Sequence, residues 1–256
     1  MSNDAYDLDH IALAAADTSD LLRFLTGVCG GTILWGGASI GFRPMQVHIG
    51  NAESGMKIEL LEPWETERND FLQRFVQRHI HGPHHMTFKV PDIRAAIERF
   101  RESGFSPVNI DLRDPYWMEC FLMPREAHGT VVQLAQTNET SAFVDRKELL
   151  AHLAVHGPNG NPRWWVDADP PVDEPLVLQN VVMATPSVSA ALGFFAGLLG
   201  GAVVGESADR IDLQWPGGAA LSLEQNTDVA PGVDRLEIEG LTEAQTVLGT
   251  RFVPAD

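Results

Sequence analysis

The sequence predicts an α+β protein assembled from repeated strand-and-helix modules. Residues 84–92 repeat residues 9–17 at a constant offset of 75. A third copy, residues 178–201, aligns without gaps on residues 8–31 at an offset of 170. In each copy a short apolar strand leads into a helix whose apolar residues recur at helical spacing. Equivalent strands should therefore present equivalent side chains.

The first strand of each of the first two modules presents one histidine. His10 and His85 fall on equivalent positions of the repeat. Large apolar residues follow each histidine at the next position and two positions later: Ile11 and Leu13, then Met86 and Phe88. Since side chains alternate across a strand, the histidines lie on the face opposite these apolar residues. Two symmetry-related imidazoles on adjoining strands favour a metal site.

The helices that follow these strands are expected to cover the apolar face of the sheet. Their apolar stripes are Leu21, Leu22, Leu25 and Val28 in the first copy, Ile93, Ala96, Ile97 and Phe100 in the second, and Leu192, Phe195 and Leu198 in the third. A stripe of this kind buries one side of a helix. The face that carries the histidines is left as the candidate cleft.

Two later strands each add one polar residue to the candidate cleft. Residues 55–63 alternate apolar and polar side chains, which places Glu59 opposite the apolar ones. Residues 129–136 alternate in the same way and leave Gln133 on the corresponding face. The apolar partners are Met56, Ile58 and Leu60 in one strand and Val132 and Leu134 in the other.

These motifs, in this order, resemble the vicinal oxygen chelate superfamily, which includes glyoxalase, methylmalonyl-CoA epimerase, extradiol dioxygenases and bleomycin-binding proteins. The most similar pattern is that of the epimerases, over residues 8–136. It consists of DHI at 9–11, ELLEP at 59–63, GPHHM at 82–86, and MPR at 123–125 leading into GTVVQL at 129–134. The resemblance implies tandem βαβββ modules that form a curved mixed sheet around a metal cleft. It also implies that the metal ligands are His10, Glu59, His85 and Gln133.

Two positions depart from the epimerase pattern. Gln133 stands where the epimerases have a ligand Glu that also works as an acid and base, and Gln46 corresponds to their second catalytic Glu. An amide cannot take up a proton at neutral pH. Glu59 is then the only acid of the predicted ligand set and the candidate base. Further candidate pocket residues are Gln46, His48, Tyr116 and Trp117.

The function expected from this pattern is divalent-metal-dependent isomerase, epimerase or lyase chemistry next to a carbonyl of a small oxygen-bearing substrate. The ion would be Co, Mn, Zn, Ni or Fe. One alternative is a non-haem Fe(II) dioxygenase, because two His and one carboxylate also hold that iron. The extradiol enzymes carry their carboxylate where this chain has Gln133, which weakens that alternative. The other is a non-catalytic small-molecule binding protein of the antibiotic-resistance type.

Composition narrows the range of partners. The formal net charge is −17, and no basic stripe with interleaved aromatic residues is present, which argues against nucleic acid. The sequence has no long apolar run and no signal-peptide pattern at its start, so we expect a cytoplasmic protein without membrane contact. Cys29 and Cys120 are too few for a disulfide scaffold and are expected to be reduced.

The domain organisation is predicted in three parts. Residues 1–140 form a complete metal-binding domain of two modules. Residues 141–175 form a helix, expected at 141–156, and a linker rich in Pro, Gly and Asp. Residues 176–256 form a degenerate, truncated domain of the same kind. Trp164 and Trp165 in the linker anchor it to a domain, which we favour, or close the cleft over a ligand.

The third copy lacks the predicted metal ligands. Asn180 occupies the place of His10, Ser222 approximately that of Glu59, and Arg235 that of His85. A short helix is predicted near residues 242–248, after which the chain stops, so the fourth module should lack its last strands. Such a sheet would leave an open edge, which the linker or a second subunit in a homodimer would cover.

Overall fold

The structure is a computed structural model that describes residues 5–137, 146–158, 164–165 and 174–255. These residues form two mixed β-sheets with few helices, which confirms the predicted α+β class. Among them, no helix is long and apolar enough to span a membrane.

The elements follow one another in a regular order. The first sheet contains β1 (Asp7–Ala15), β2 (Thr32–Gly36), β3 (Gly41–Gly50), β4 (Gly55–Trp64), β5 (His81–Lys89), β6 (Val108–Asp111), β7 (Met118–Leu122) and β8 (Val131–Gln136). The second contains β9 (Val177–Thr185), β10 (Ala202–Glu206), β11 (Arg210–Gln214), β12 (Ala220–Gln225), β13 (Gly232–Glu239), β14 (Gln245–Val247) and β15 (Thr250–Pro254). The helices are α1 (Ser19–Arg23), α2 (Phe71–His79), α3 (Ile93–Glu102), α4 (Arg146–His156) and α5 (Val188–Leu192), with π-helical turns after α1 at Phe24–Val28 and after α5 at Gly193–Leu198.

The two sheets have the same strand order. The first runs β2-β3-β4-β1-β5-β8-β7-β6 and the second runs β10-β11-β12-β9-β13-β15-β14. In each sheet the first strands of two modules are neighbours at the centre, with the later strands on either side. Among the residues that the structure describes, the second sheet has seven strands and no counterpart of β6. This arrangement agrees with tandem βαβββ modules followed by an incomplete pair.

The chain divides into two compact units. The first unit consists of residues 1–10, 85–140 and 180–235, and the second of residues 11–84, 141–179 and 236–256. The division at residues 140 and 176 that the sequence indicates stays a prediction. Helix α4 covers 146–156 of the helix expected at 141–156, whereas residues 141–145 and most of the linker lie outside the described residues.

Each unit has its own aromatic core. In the first unit the ring of Phe88 lies 6.4 Å from that of Phe195 and 5.3 Å from that of Trp215, measured between centroids. In the second unit Phe24 lies 4.6 Å from Phe252. Both cores therefore join residues that are far apart in the sequence.

The fourth module differs from the expectation. The helix predicted near 242–248 is wrong, because Gln245–Val247 is strand β14 and pairs antiparallel with β15. The turn between them consists of Leu248 and Gly249, with φ of 43° and 70°. Two positive φ values are typical of a tight type I′ hairpin. Within the described part of the chain, the fourth module therefore keeps β14 and β15 as its last strands and has neither a helix nor a counterpart of β6.

The first helix differs from the expected stripe at one position. Leu21, Leu22 and Leu25 are buried, whereas Val28 is 55% exposed. The reason is the π-helical turn after α1, in which the Cys29 N–H donates to the Phe24 carbonyl at 3.0 Å. This wider turn brings Cys29 rather than Val28 to the buried side.

The same shift occurs after α5. The Leu199 N–H donates to the Phe194 carbonyl at 3.1 Å, five residues back. Phe194, Phe195 and Leu199 are buried, while the predicted Leu192 and Leu198 are only partly buried.

Candidate metal centre

Four polar side chains on the predicted cleft face are buried. They are His10 on β1, Glu59 on β4, His85 on β5 and Gln133 on β8. Their apolar neighbours along the same strands are also buried, as strand alternation with both faces covered requires. Burial of four polar groups calls for partners or a ligand.

Three of these residues approach one another closely. The possible ligand atoms of His10, Glu59 and His85 all lie within 4.8 Å of each other. The rings of His10 and His85 have centroids 5.8 Å apart and planes inclined by 69°. Two imidazoles and one carboxylate form a donor set that zinc and non-haem iron use in proteins. The residues therefore fit a divalent metal ion chemically.

Thr87 connects the fourth residue to the first. It is fully buried two positions after His85, on the same face, and it pairs in register with Gln133. Its hydroxyl donates to Gln133 Oε1 at 2.5 Å. Thr87 Oγ1 also lies 2.9 Å from His10 Nε2, within hydrogen-bonding distance. Strand parity could have identified Thr87 from the sequence.

Asp9 holds the other side of the His10 ring. His10 Nδ1 lies 2.8 Å from Asp9 Oδ2, and Lys89 Nζ lies 3.1 Å from Asp9 Oδ1. A carboxylate only accepts hydrogen bonds, so Nδ1 carries the hydrogen. Metal-ligating histidines commonly donate their second ring N–H to a carboxylate in this way. Asp9 is thus suited to orient the ring of His10.

Glu119 extends the network beyond Gln133. Gln133 Nε2 donates to Glu119 Oε2 at 2.6 Å, and Trp117 Nε1 donates to the same oxygen at 2.7 Å. Cys120 and Leu122 on β7 are buried on the opposite face, a parity that could have identified Glu119. Glu119 is therefore an acid in contact with the cleft residue Gln133 that the sequence analysis missed.

The remaining predicted pocket residues have different surroundings. Gln46 pairs in register with Glu59 and its Nε2 donates to Glu59 Oε1 at 3.4 Å. His48 is buried, and its Nε2 donates to the Asn51 carbonyl at 3.2 Å in the β3–β4 turn. Burial lowers the pKa of His48 to about 4. Tyr116 is 67% exposed, and Trp117 belongs to the network around Glu119.

His84, the other histidine of the His84-His85 pair, packs against aromatic rings of α2. The ring of His84 lies 4.6 Å from Phe75 and 6.2 Å from Phe71, both on α2. Burial lowers the pKa of His84 to about 4. This contact with α2 makes His84 a suitable control for substitutions of its neighbour.

A polar network occupies the equivalent positions in the first unit's portion of the second sheet. Asn180 Nδ2 donates to Ser222 Oγ at 2.5 Å, and Ser222 in turn donates to Asp212. Arg235 donates to both carboxylate oxygens of Glu224, at 2.6 and 2.8 Å. In the described part of the chain, His10, Glu59 and His85 are the one group of three such residues placed to hold a metal.

A cavity of about 190 Å³ lies elsewhere in the second unit, and none of the candidate ligands lines it. Arg43 donates to Glu62 Oε2 there, and its guanidinium lies 5.1 Å from the Trp64 ring centroid and 4.6 Å from that of Trp164. Trp164 Nε1 also donates to the Pro44 carbonyl at 3.2 Å. These contacts favour the anchoring interpretation of the linker tryptophan.

Comparison with known proteins agrees with the resemblance seen in the sequence. Residues 9–121 match the family model of the Glyoxalase/Bleomycin resistance protein/Dioxygenase superfamily. No curated protein matches the sequence. A hypothetical protein from Staphylococcus aureus has the same fold, at 14% identity and a TM-score of 0.62, over 98% of this chain and 100% of its own.

Two smaller proteins match about half of the chain. A hypothetical protein from Bacillus halodurans is 27% identical over 55% of this chain and 100% of its own, with a TM-score of 0.47. A methylmalonyl-CoA epimerase from Mycobacterium tuberculosis is 19% identical over 56% of this chain and 95% of its own, also with a TM-score of 0.47.

Proposed function

Because residues 9–121 match the family model of the Glyoxalase/Bleomycin resistance protein/Dioxygenase superfamily, we propose that the protein is a divalent-metal-dependent enzyme that acts next to a carbonyl of a small oxygen-bearing substrate. The reaction class is an isomerisation, an epimerisation or a lyase reaction. The observation that carries the proposal is the approach of the ligand atoms of His10, Glu59 and His85 to within 4.8 Å. Gln133 is the fourth ligand in this proposal.

The proposed ligands suit Co, Mn, Zn, Ni or Fe. When bound, such an ion would polarise a carbonyl oxygen or stabilise an enolate. Glu59 is the carboxylate of the set, and we assign it the transfer of a proton at the carbon next to the carbonyl. Gln46 beside it would orient the Glu59 carboxylate through the hydrogen bond to Oε1.

Asp9 and Thr87 prepare His10 for this role. Asp9 accepts from Nδ1 and leaves Nε2 as the nitrogen that faces Thr87. Metal ligation requires a deprotonated ring nitrogen, so Nε2 would bind the ion in place of its contact with Thr87. The Asp9 contact would meanwhile keep the ring plane in place.

The test is the metal content of the full chain, purified without a metal-chelating tag and measured by elemental analysis. We expect one equivalent of a divalent metal in the wild type and its loss in His10→Ala and in His85→Ala. The matched control is His84→Ala, which removes the adjacent imidazole that packs on Phe75. It should keep its metal.

Two results would contradict the proposal. A wild-type protein that takes up no divalent metal would instead favour the small-molecule binding protein. Equal metal loss from all three variants would mean that the strand register is wrong.

A second assay tests the reaction itself. Solvent deuterium incorporation next to the carbonyl of candidate substrates, abolished by Glu59→Gln, would identify the proton-transfer chemistry.

A second candidate function follows from the same three residues. Two His and one carboxylate are the ligand set of non-haem Fe(II) dioxygenases. The two functions differ in metal and co-substrate. Iron in the purified protein together with substrate-dependent oxygen consumption would favour the dioxygenase, whereas activity with cobalt or manganese under nitrogen would favour the isomerase.

A further inference from the structure

The carboxylate of Glu119 accepts two hydrogen bonds at one oxygen. Trp117 Nε1 and Gln133 Nε2 donate to Oε2 at 2.7 and 2.6 Å. Glu119 and Trp117 lie on or beside β7, and Gln133 lies on the neighbouring strand β8. The indole N–H therefore fixes the position of the oxygen that the Gln133 amide contacts.

This contact distinguishes the two ends of the Gln133 amide. An amide has a donor end and an acceptor end, and a 180° rotation exchanges them. In the rotated state Gln133 Oε1 would face Glu119 Oε2 at 2.6 Å, with no hydrogen between two acceptors. Glu119 thus selects the state in which Oε1 faces Thr87, which lies 2.5 Å from it.

The orientation decides whether Gln133 can bind a cation. The amide oxygen is a metal ligand, whereas an N–H₂ group in the same place points its hydrogens at the ion and repels it. Thr87 does not select the orientation by itself, because a hydroxyl can donate to an oxygen or accept from a nitrogen. The acceptor-only carboxylate on the far side makes the choice.

We propose that Glu119 is a positioning residue of the metal centre, which turns the Gln133 amide so that Oε1 is the fourth ligand. The inference rests on the proposed function, since it presupposes that His10, Glu59 and His85 hold an ion. Trp117 supports the same geometry by holding Glu119 Oε2.

The test compares three substitutions at one position by cobalt binding to the full-length protein. Glu119→Gln keeps an oxygen for Trp117 and Gln133 and loses the charge. Glu119→Asp keeps the charge but is one methylene shorter and cannot reach Gln133. Glu119→Leu removes both. The matched control is Glu126→Leu, a half-buried Glu of the same unit that accepts from the Ser106 N–H.

If Glu119 positions the amide, Glu119→Gln binds cobalt nearly as tightly as the wild type, and Glu119→Asp and Glu119→Leu bind it about 10- to 100-fold more weakly. The visible absorption of bound Co²⁺ should change in the Asp and Leu variants, because the ligand set loses an oxygen. Glu126→Leu should keep both the affinity and the spectrum of the wild type.

Two results would overturn the inference. Tighter binding by Glu119→Asp than by Glu119→Gln would show that Glu119 acts through its charge. Wild-type affinity and spectrum in all variants, with only the melting temperature altered, would show a structural role. If Glu119→Leu does not fold, the comparison of cobalt affinity between Glu119→Gln and Glu119→Asp is sufficient to test the inference. A failure of cobalt to bind the wild type, with His10→Ala no different, would instead reject the proposed function.

Discussion

Thr87 uses a single hydroxyl group to contact two neighbours, since it donates to Gln133 Oε1 and its oxygen lies 2.9 Å from His10 Nε2. Thr87→Val keeps the shape of the side chain and removes both hydrogen bonds. We expect the free energy of unfolding to fall by about 1–3 kcal/mol, because buried polar groups lose a partner. Urea unfolding of the metal-depleted protein measures this. Thr87→Ser should recover most of the loss, and an unchanged unfolding free energy in Thr87→Val would contradict the assignment.

The burial of His48 makes stability depend on pH. Burial lowers its pKa from 6.5 to about 4, so folding favours the neutral ring. This contribution is fully present above pH 6.5 and is lost as the pH falls from 6.5 through 4. It amounts to about 3 kcal/mol.

His48→Gln supplies the comparison, because a Gln side chain can donate to the Asn51 carbonyl and does not titrate. The unfolding free energy of the variant, measured by urea at several pH values, should fall less steeply below pH 6.5 than that of the wild type. Parallel curves would mean that His48 titrates normally in the folded protein.

At this scale the sequence predicts which strand positions face the cleft but not what each side chain contacts. Alternation along each of three strands predicted the cleft face for His10, Glu59 and Gln133, and all three side chains are buried. The roles of Asp9, Thr87 and Glu119 depend on side-chain directions and on cross-strand neighbours, which no local pattern contains. His48 shares its parity with Gln46, yet its ring turns towards the β3–β4 turn.

The π-helical turns show a similar limit for single elements. A helix of uniform period places Val28 on the same buried side as Leu25, whereas the wider turn brings Cys29 to the core. The repeat carries this irregularity at equivalent positions, since Leu199 stands in the same relation to Phe194. The spacing of apolar residues alone cannot reveal it. The hydrogen bond from an N–H to the carbonyl five residues earlier changes the rotation per residue only within that turn.

The two residues after α1 should therefore respond differently to polar substitution. Val28→Ser changes an exposed side chain and should alter the unfolding free energy by less than about 0.5 kcal/mol. Cys29→Ser places a hydroxyl in an apolar core and should cost about 1–3 kcal/mol. Thermal or urea unfolding measures both. The reverse order of the two effects would mean that the helix keeps its α-helical period through residue 28.

The β14–β15 hairpin was missed for another reason. Strand β14 has only three residues, and its turn begins with Leu248 rather than with the Asn, Asp or Gly that usually occupies that position. The strand forms because β15 pairs with both β14 and β13. Neighbouring strands, rather than local propensity, decide its structure.

At the scale of the whole molecule, the repeat predicted a second, incomplete pair of equivalent modules, and it did not predict the compact units. Each unit joins early and late parts of the chain. In the first unit Phe88 packs on Phe195 and Trp215, and in the second Phe24 packs on Phe252. Contacts between such distant residues leave no signal in a single sequence, because each of them looks like ordinary core.

Truncation after residue 140 should therefore fail to give a soluble monomer. The fragment 1–140 keeps the four proposed ligands but loses the aromatic partners of Phe24 and Phe88. We expect aggregation or self-association, visible by size-exclusion chromatography with light scattering. The full chain, measured in the same way, is the reference. A soluble, monomeric and fully metallated fragment would mean that residues 141–256 support neither the centre nor the assembly.

The contact between Gln133 and Glu119 also constrains how the protein could change in evolution. A carboxylate at position 133 would meet the Glu119 carboxylate at about the 2.6 Å that now separates the amide nitrogen from it. Two carboxylates so close cannot both be ionised, and they would share a proton. A lineage acquiring an acid at position 133 would therefore pass more easily through Glu119→Gln first. The easier order of the two mutations would thus follow from one hydrogen bond.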